Sequence, residues 1–324
     1  MGPGPLVEQT HRFQSRRLYV DGPFGQIHLR VAYPETPLYR PMICFHMSPV
    51  SSQMFETWIT EIGRDRVVIA IDTPGFGCSD VPDAPPTMAD YAKAMGDVLD
   101  APELNDFDLT TVDLLGYHTG GRIAVQLTLQ RPEAITHIIL VGAGMYSPTD
   151  QKKHYESFSR DETQEDGSHL TAVWNSMLRW RGPHRTLNDL MKTYPDMIRG
   201  KENQHLMYGA NTEFSLADHL KDIGQPILVL NPRDDLWAYT ALIEPFLKES
   251  DRLITLPGWG IGFLDYHTVE AAEMVRAFVD GTVRRHSNWN NQRPDLKEDL
   301  AHLVQDIKRR ICGIASAGSP WFCV

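Results

Sequence analysis

The sequence predicts an α/β fold, a mostly parallel central sheet flanked by helices and interrupted by a helical insertion, and three observations carry that prediction. Short apolar runs rich in β-branched residues recur with helical patterns between them, the rhythm of a buried parallel sheet covered on both faces. That rhythm stops after Gly144 and resumes at Pro226. With 324 residues, 42% of them hydrophobic, the chain can bury a large core, and its length suits one domain with an insertion better than two equal domains.

The elements follow in order. Arg17–Val20 and Gln26–Ala32 flank the turn-rich Asp21-Gly22-Pro23-Phe24-Gly25, which predicts an antiparallel hairpin at a sheet edge. Core strands are expected at Met42–Phe45, Val67–Ile71, Val112–Leu115, Ile138–Val141, Ile227–Leu230 and Leu253–Leu256. Between them, a helix is expected near Phe55–Ile62, another opened by the capping box Thr87-Met-Ala-Asp90, and a third over Gly120–Gln130 stopped by Pro132. Thr268–Asp280 should be the last core helix. The core is thus assigned to residues 1–144 and 223–280.

Residues 145–222 carry a polar, acidic stretch and then amphipathic segments around Leu170–Trp180, Leu187–Ile198 and His205–Leu220. An insertion between two core strands reads as a helical lid over the sheet's carboxyl edge, where substrate pockets form. Most of its aromatic and methionine side chains should pack the lid on itself, with Trp174, Met177 and Tyr208 as candidates to line a pocket. Residues 281–324 form an extension in which Leu296, Leu300, Leu303, Val304, Ile307 and Ile311 recur at helical spacing. That pattern predicts an amphipathic helix docked on the body or on a second copy in a homodimer.

A formal charge of −11 repels phosphate backbones and anionic lipid, so neither nucleic acid nor a membrane surface is an expected partner. No run of about 18 apolar residues is present, and Met-Gly-Pro-Gly-Pro-Leu lacks a signal peptide's apolar core, so a cytoplasmic location is expected. Cys44, Cys78, Cys312 and Cys323 lack the spacing of a disulfide framework or zinc site. The 13 histidines form no i, i+4 pair, and Gly142-Ala-Gly144 is too short for a phosphate loop, so no metal and no cofactor are expected.

The chemistry concentrates in five segments. Gly116-Tyr117-His118-Thr119-Gly120 follows a strand and precedes a helix, fitting the nucleophile elbow G-x-S-x-G everywhere except its centre. Small neighbours are needed there because the central residue sits on a strained turn between closely approaching strand and helix. His46-Met47-Ser48-Pro49 follows the strand Met42–Phe45, and Asp72-Thr73-Pro74-Gly75-Phe76-Gly77-Cys78-Ser79 follows the next. Later come Asn231-Pro232-Arg233-Asp234-Asp235, and Gly258-Trp259-Gly260-Ile261-Gly262 leading to His267.

In their order along the chain the five segments resemble the α/β-hydrolase superfamily over about Arg17–Asp280, in the style of its lid-bearing haloalkane dehalogenases, epoxide hydrolases and carbon–carbon bond hydrolases. The resemblance places His118 at the nucleophile position and an oxyanion hole at the backbone of Met47 or Ser48 together with Thr119. It matches Asp235 to the triad acid, with Asp234 as the alternative, and puts Ile261 where the catalytic histidine belongs. His46 reads best as a buried structural histidine, and His267 is a secondary candidate.

Without a serine at 118 or a histidine at 261, the ordinary triad cannot operate at those positions. In the first of three readings, His118 is a general base paired with Asp235 in the space that Ile261 leaves unclaimed, acting without cofactor on a small, largely apolar, carbonyl-containing molecule. Hydrolysis, lyase, decarboxylation and cyclisation chemistry would all be open to it. In the second, His118 is a nucleophile helped by His267. In the third, the protein is a catalytically inactive ligand-binding relative.

Overall fold

A computed structural model describes residues 15–281, apart from 148, 152, 154–162 and 183. The expected C-terminal helix, Cys312 and Cys323 lie outside the described residues. Eight strands form one sheet in the order β1-β2-β4-β3-β5-β6-β7-β8. They are β1 (Arg16–Gly22), β2 (Gly25–Ala32), β3 (Met42–Phe45), β4 (Val68–Ile71), β5 (Val112–Tyr117), β6 (Ile135–Val141), β7 (Ile227–Pro232) and β8 (Arg252–Leu256). The hairpin β1–β2 pairs antiparallel, as does β2 with β4, and every other neighbour is parallel.

Side chains alternate across the pleat, and β5 shows how this divides the core. Val112 and Leu114 join one apolar cluster with Tyr91, Met95, Ile123 and Leu127, on the face covered by α2 (Met88–Leu99) and α3 (Thr119–Gln130). Leu115 and Tyr117 join the other, with Trp58, Ile62, Phe263 and Val275, under α1 (Glu56–Ile62) and the C-terminal helix of the domain, Thr268–Val279. The capping box opens α2 as expected: Thr87 Oγ1 accepts the Asp90 N–H, and Asp90 accepts the Thr87 N–H.

The insertion between β6 and β7 contains α4 (Ser168–Arg179), α5 (Leu187–Lys201), α6 (Gln204–Glu213) and α7 (Leu216–Leu220). Its two halves pack differently. Val173, Met177 and Leu190 form a separate cluster with Trp174, Tyr194 and Met197, whereas Met207, Ala210, Phe214, Leu216 and Leu220 join the main core. Polar ties fasten α5 to the loops at the sheet's carboxyl edge: Ser51 donates to the Asp196 carboxylate, and Arg199 donates to Gly77 O at 2.9 Å. No described helix is long and apolar enough to cross a membrane.

Candidate active site

The elbow forms where β5 runs into α3, and glycines allow the approach. A methyl at Gly116 would lie 2.4 Å from Gly120 O, and one at Gly120 would lie 2.2 Å from Phe45 O. Between them His118 has φ 48° and ψ −110° and is the one non-glycine residue with positive φ among those described. Such a conformation costs roughly 1–3 kcal/mol and persists only where its surroundings fix it. Here the His118 N–H donates to Val141 O at 2.9 Å and its carbonyl accepts the Gly121 N–H at 3.0 Å.

The imidazole leaves the elbow toward β7. Its Nε2 lies 2.9 Å from Asp234 Oδ2, and the Asp234 side chain is fully buried. Asp234 is aimed by its own turn, for its N–H donates to Pro232 O at 2.9 Å and its Oδ1 accepts the Leu236 N–H at 2.9 Å. A carboxylate so placed fixes the proton of the neutral ring on Nε2 and leaves the lone pair on Nδ1. Gly142 provides the room: a Cβ there would lie 2.5 Å from His118 Cδ2 and 2.6 Å from Nε2.

Burial disfavours the imidazolium, but the Asp234 charge and hydrogen bond, with help from Asp235, outweigh it and hold His118 above the ordinary histidine value. Asp235 goes the other way for a carboxylate. Burial raises it, the neighbouring His118 offsets part of that, and repulsion from Asp234 adds to it, so its pKa is pushed up to about 6. Its Oδ1 is buried without a hydrogen-bond partner.

These residues open on a cleft whose empty space, counted out to solvent, is about 530 Å³. His118, Thr119 and Arg122 form one wall, with Ser48 beside them, and Tyr208, Asn211 and Thr212 of α6 face them. Asp235, Tyr146 and Gln151 complete a lining whose one aliphatic member is Leu236.

Three expectations are corrected by this geometry. The acid hydrogen-bonded to His118 is Asp234, not Asp235, because the bonds to Pro232 O and the Leu236 N–H aim Asp234 at the imidazole, while Asp235 lines the cleft. Trp174 and Met177 pack inside the insertion, Trp174 edge-on against Tyr194, and only Tyr208 of the three reaches the cleft. The oxyanion loop is also partly occupied: the Ser48 N–H donates to Thr119 Oγ1 at 2.8 Å.

The remaining candidates have structural surroundings. His46 Nε2 accepts the Thr73 N–H at 2.9 Å while its Nδ1 donates to Met47 O at 2.8 Å, pinning two loops together. His267 stacks on Trp259, ring centroids 4.3 Å apart, and neither it nor Ile261 lines the cleft. Ile261 instead forms a bridge to Arg181 at the base of the insertion.

A family model described as the alpha/beta hydrolase fold matches residues 40–236, which span the elbow, both preceding loops and the acid turn. The chain belongs to the alpha/beta hydrolase fold family. Within that family it is similar to an uncharacterized protein of Mycobacterium tuberculosis, 39% identical over 84 residues that make up 26% of this chain and 23% of the relative. It thus spans about a quarter of the length of the mycobacterial relatives it matches. It is also similar to a poly(3-hydroxyalkanoate) depolymerase of Ectopseudomonas oleovorans, 25% identical over 206 residues, 62% of this chain and 70% of the other. Among solved structures, an esterase from Exiguobacterium antarcticum superposes with a TM-score of 0.66 at 17% identity, covering 82% of this chain and all of that one. At that identity the likeness shows the alpha/beta hydrolase fold alone.

Sequence reading missed Arg122, Gln151, Asn211 and Thr212 in the cleft. Arg122 had a usable signal, since it lies four residues after His118, in the first turn of the helix that the elbow opens. The others sit on the insertion or the segment leading into it, where a periodic pattern gives no clue to which side faces the sheet.

Proposed function

We propose that this protein is an enzyme, a hydrolase of small carbonyl-containing molecules that works without a cofactor and uses His118 as its general base. The observation that carries the reading is the 2.9 Å bond from His118 Nε2 to Asp234 Oδ2 at the strained elbow. An orienting acid and a base at the head of a cleft are what proton transfer requires. The base is read as coming from the elbow itself, in place of the loop after β8.

In this reading Nδ1 takes a proton from a water molecule while the water oxygen bonds to the substrate carbonyl carbon. The resulting imidazolium is stabilised by Asp234. Negative charge gathers on the carbonyl oxygen, beside the Thr119 N–H at the start of α3. Collapse of the tetrahedral adduct expels the leaving group, which takes the proton back from the imidazolium. The same base serves removal of an acidic C–H or O–H proton, as in lyase, decarboxylase or cyclase chemistry. A depolymerase among the similar proteins favours hydrolysis. Nucleophilic catalysis by His118 loses its proposed helper, because His267 lies stacked on Trp259 outside the cleft lining.

The test is turnover of wild type and His118→Ala on a panel of small esters, lactones and β-diketones. The variant should lose at least about a hundredfold with little change in thermal midpoint. Undiminished turnover rejects His118 as the base, and a wild type inert toward the whole panel favours a ligand-binding protein.

A further inference from the structure

Arg122 is a buried cation with no acid to meet it. It is 4% exposed and lines the cleft with His118. One guanidinium nitrogen donates to Gly144 O at 2.9 Å, the group stacks over the Tyr146 ring at 5.6 Å, and Nε is buried without a hydrogen-bond partner. Among the described residues no carboxylate lies within 4.0 Å of it, and Asp234 and Asp235 stand at the His118 end of the site. Burial works against its charge, and Arg122 in turn works against protonation of His118.

A guanidinium stays charged at any ordinary pH, and burying it unpaired is costly unless something supplies the counter-charge. Every other guanidinium buried to this degree in the described chain has its acid: Arg66 meets Asp280 and Asp65, and Arg30 meets Glu56. Gln151, Asn211 and Thr212 bring only neutral groups to the same cleft, and Gln151 and Thr212 spend their donor hydrogens on backbone carbonyls, so none of them cancels the Arg122 charge. Resting on the reading of this cleft as the substrate site, we infer that Arg122 is the subsite for a carboxylate on the substrate. The substrate class is then a small carbonyl compound bearing a free carboxylate, its anionic end at Arg122 and its reacting carbonyl at His118. Arg122 lies in the first turn of α3, four residues after the base, and both side chains line the one cleft that such a molecule would occupy.

The experiment compares binding of butyrate and butyramide to the full chain by NMR titration, in wild type, His118→Ala, Arg122→Lys and Arg122→Met. Wild type should bind butyrate at least tenfold more tightly than butyramide. His118→Ala should keep that preference, which separates Arg122 from the imidazolium as its source, while Arg122→Met should abolish it and Arg122→Lys retain part of it. If Arg122→Met fails to fold, the wild-type preference and its partial survival in Arg122→Lys still decide. Equal or absent binding of the two probes by wild type, or a preference lost only in His118→Ala, overturns the carboxylate subsite. Neither result bears on the general base, whose failure is read separately as turnover surviving in His118→Ala.

Discussion

The ring of His118 fills the volume that a side chain at Gly142 would require. The β-carbon of an alanine there would come within 2.6 Å of both Cδ2 and Nε2, and Gly142 itself has φ +63°, a conformation that costs other residues roughly 1–2 kcal/mol. A histidine at the elbow therefore depends on a glycine at the end of β6.

Gly142→Ala should displace the imidazole from Asp234. The expected result is a turnover loss approaching that of His118→Ala, about a hundredfold, with a lowered thermal midpoint from the strained backbone. Steady-state kinetics and a melting curve on one preparation check both.

The rate should depend on pH through the pairing of His118 with Asp234. The base works deprotonated, and Asp234 holds the imidazole above 6.5, so kcat/KM should rise with pH through a midpoint above that value. Asp234→Asn removes the charge that stabilises the imidazolium, and the midpoint should move to lower pH as the rate falls. A profile unchanged by the substitution would mean that another group titrates.

Much of this site was legible in the sequence, and the part that was not has a physical reason. The strand rhythm, the Thr87 capping box and the glycines at 116 and 120 are local patterns, and each produced the expected element. The choice between Asp234 and Asp235 was open because both carboxylates lie close to the imidazole, and which of them bonds it depends on hydrogen bonds to Pro232 and Leu236. Gly142 looked like half of a failed phosphate loop, since its partner, the ring of His118, arrives from another strand. Trp174 and Met177 misled in a similar way: composition shows that apolar side chains exist, and only packing shows which surface they cover.

Asp235 should make stability depend on pH. The folded protein holds this proton up to about pH 6, whereas the ordinary value is 3.8. Between those values the native state binds more protons than the unfolded chain, and stability falls as pH rises through the window. Asp235→Asn should consequently raise the thermal midpoint at pH 8, at about 2–4 °C per kcal/mol relieved, and leave it nearly unchanged below pH 4.

Removal of divalent metal should leave the protein unaffected. His118, Asp234 and Asp235 present ligand atoms within 4.8 Å of one another, a one-histidine, two-carboxylate set of the kind that some metal sites use. Both Asp234 oxygens are already engaged, by His118 and by the Leu236 N–H. Dialysis against EDTA should change neither turnover nor thermal midpoint, and a loss restored by added metal would replace the hydrogen-bonded pair with a metal centre.

The most direct measurement is the ¹⁵N NMR titration of the His118 imidazole in the wild-type protein, with His118→Ala used to assign the signal. The neutral ring should carry its proton on Nε2, and the ring should titrate above 6.5. A proton on Nδ1, or a titration below 6.5, would contradict the pairing with Asp234 on which the proposed base depends.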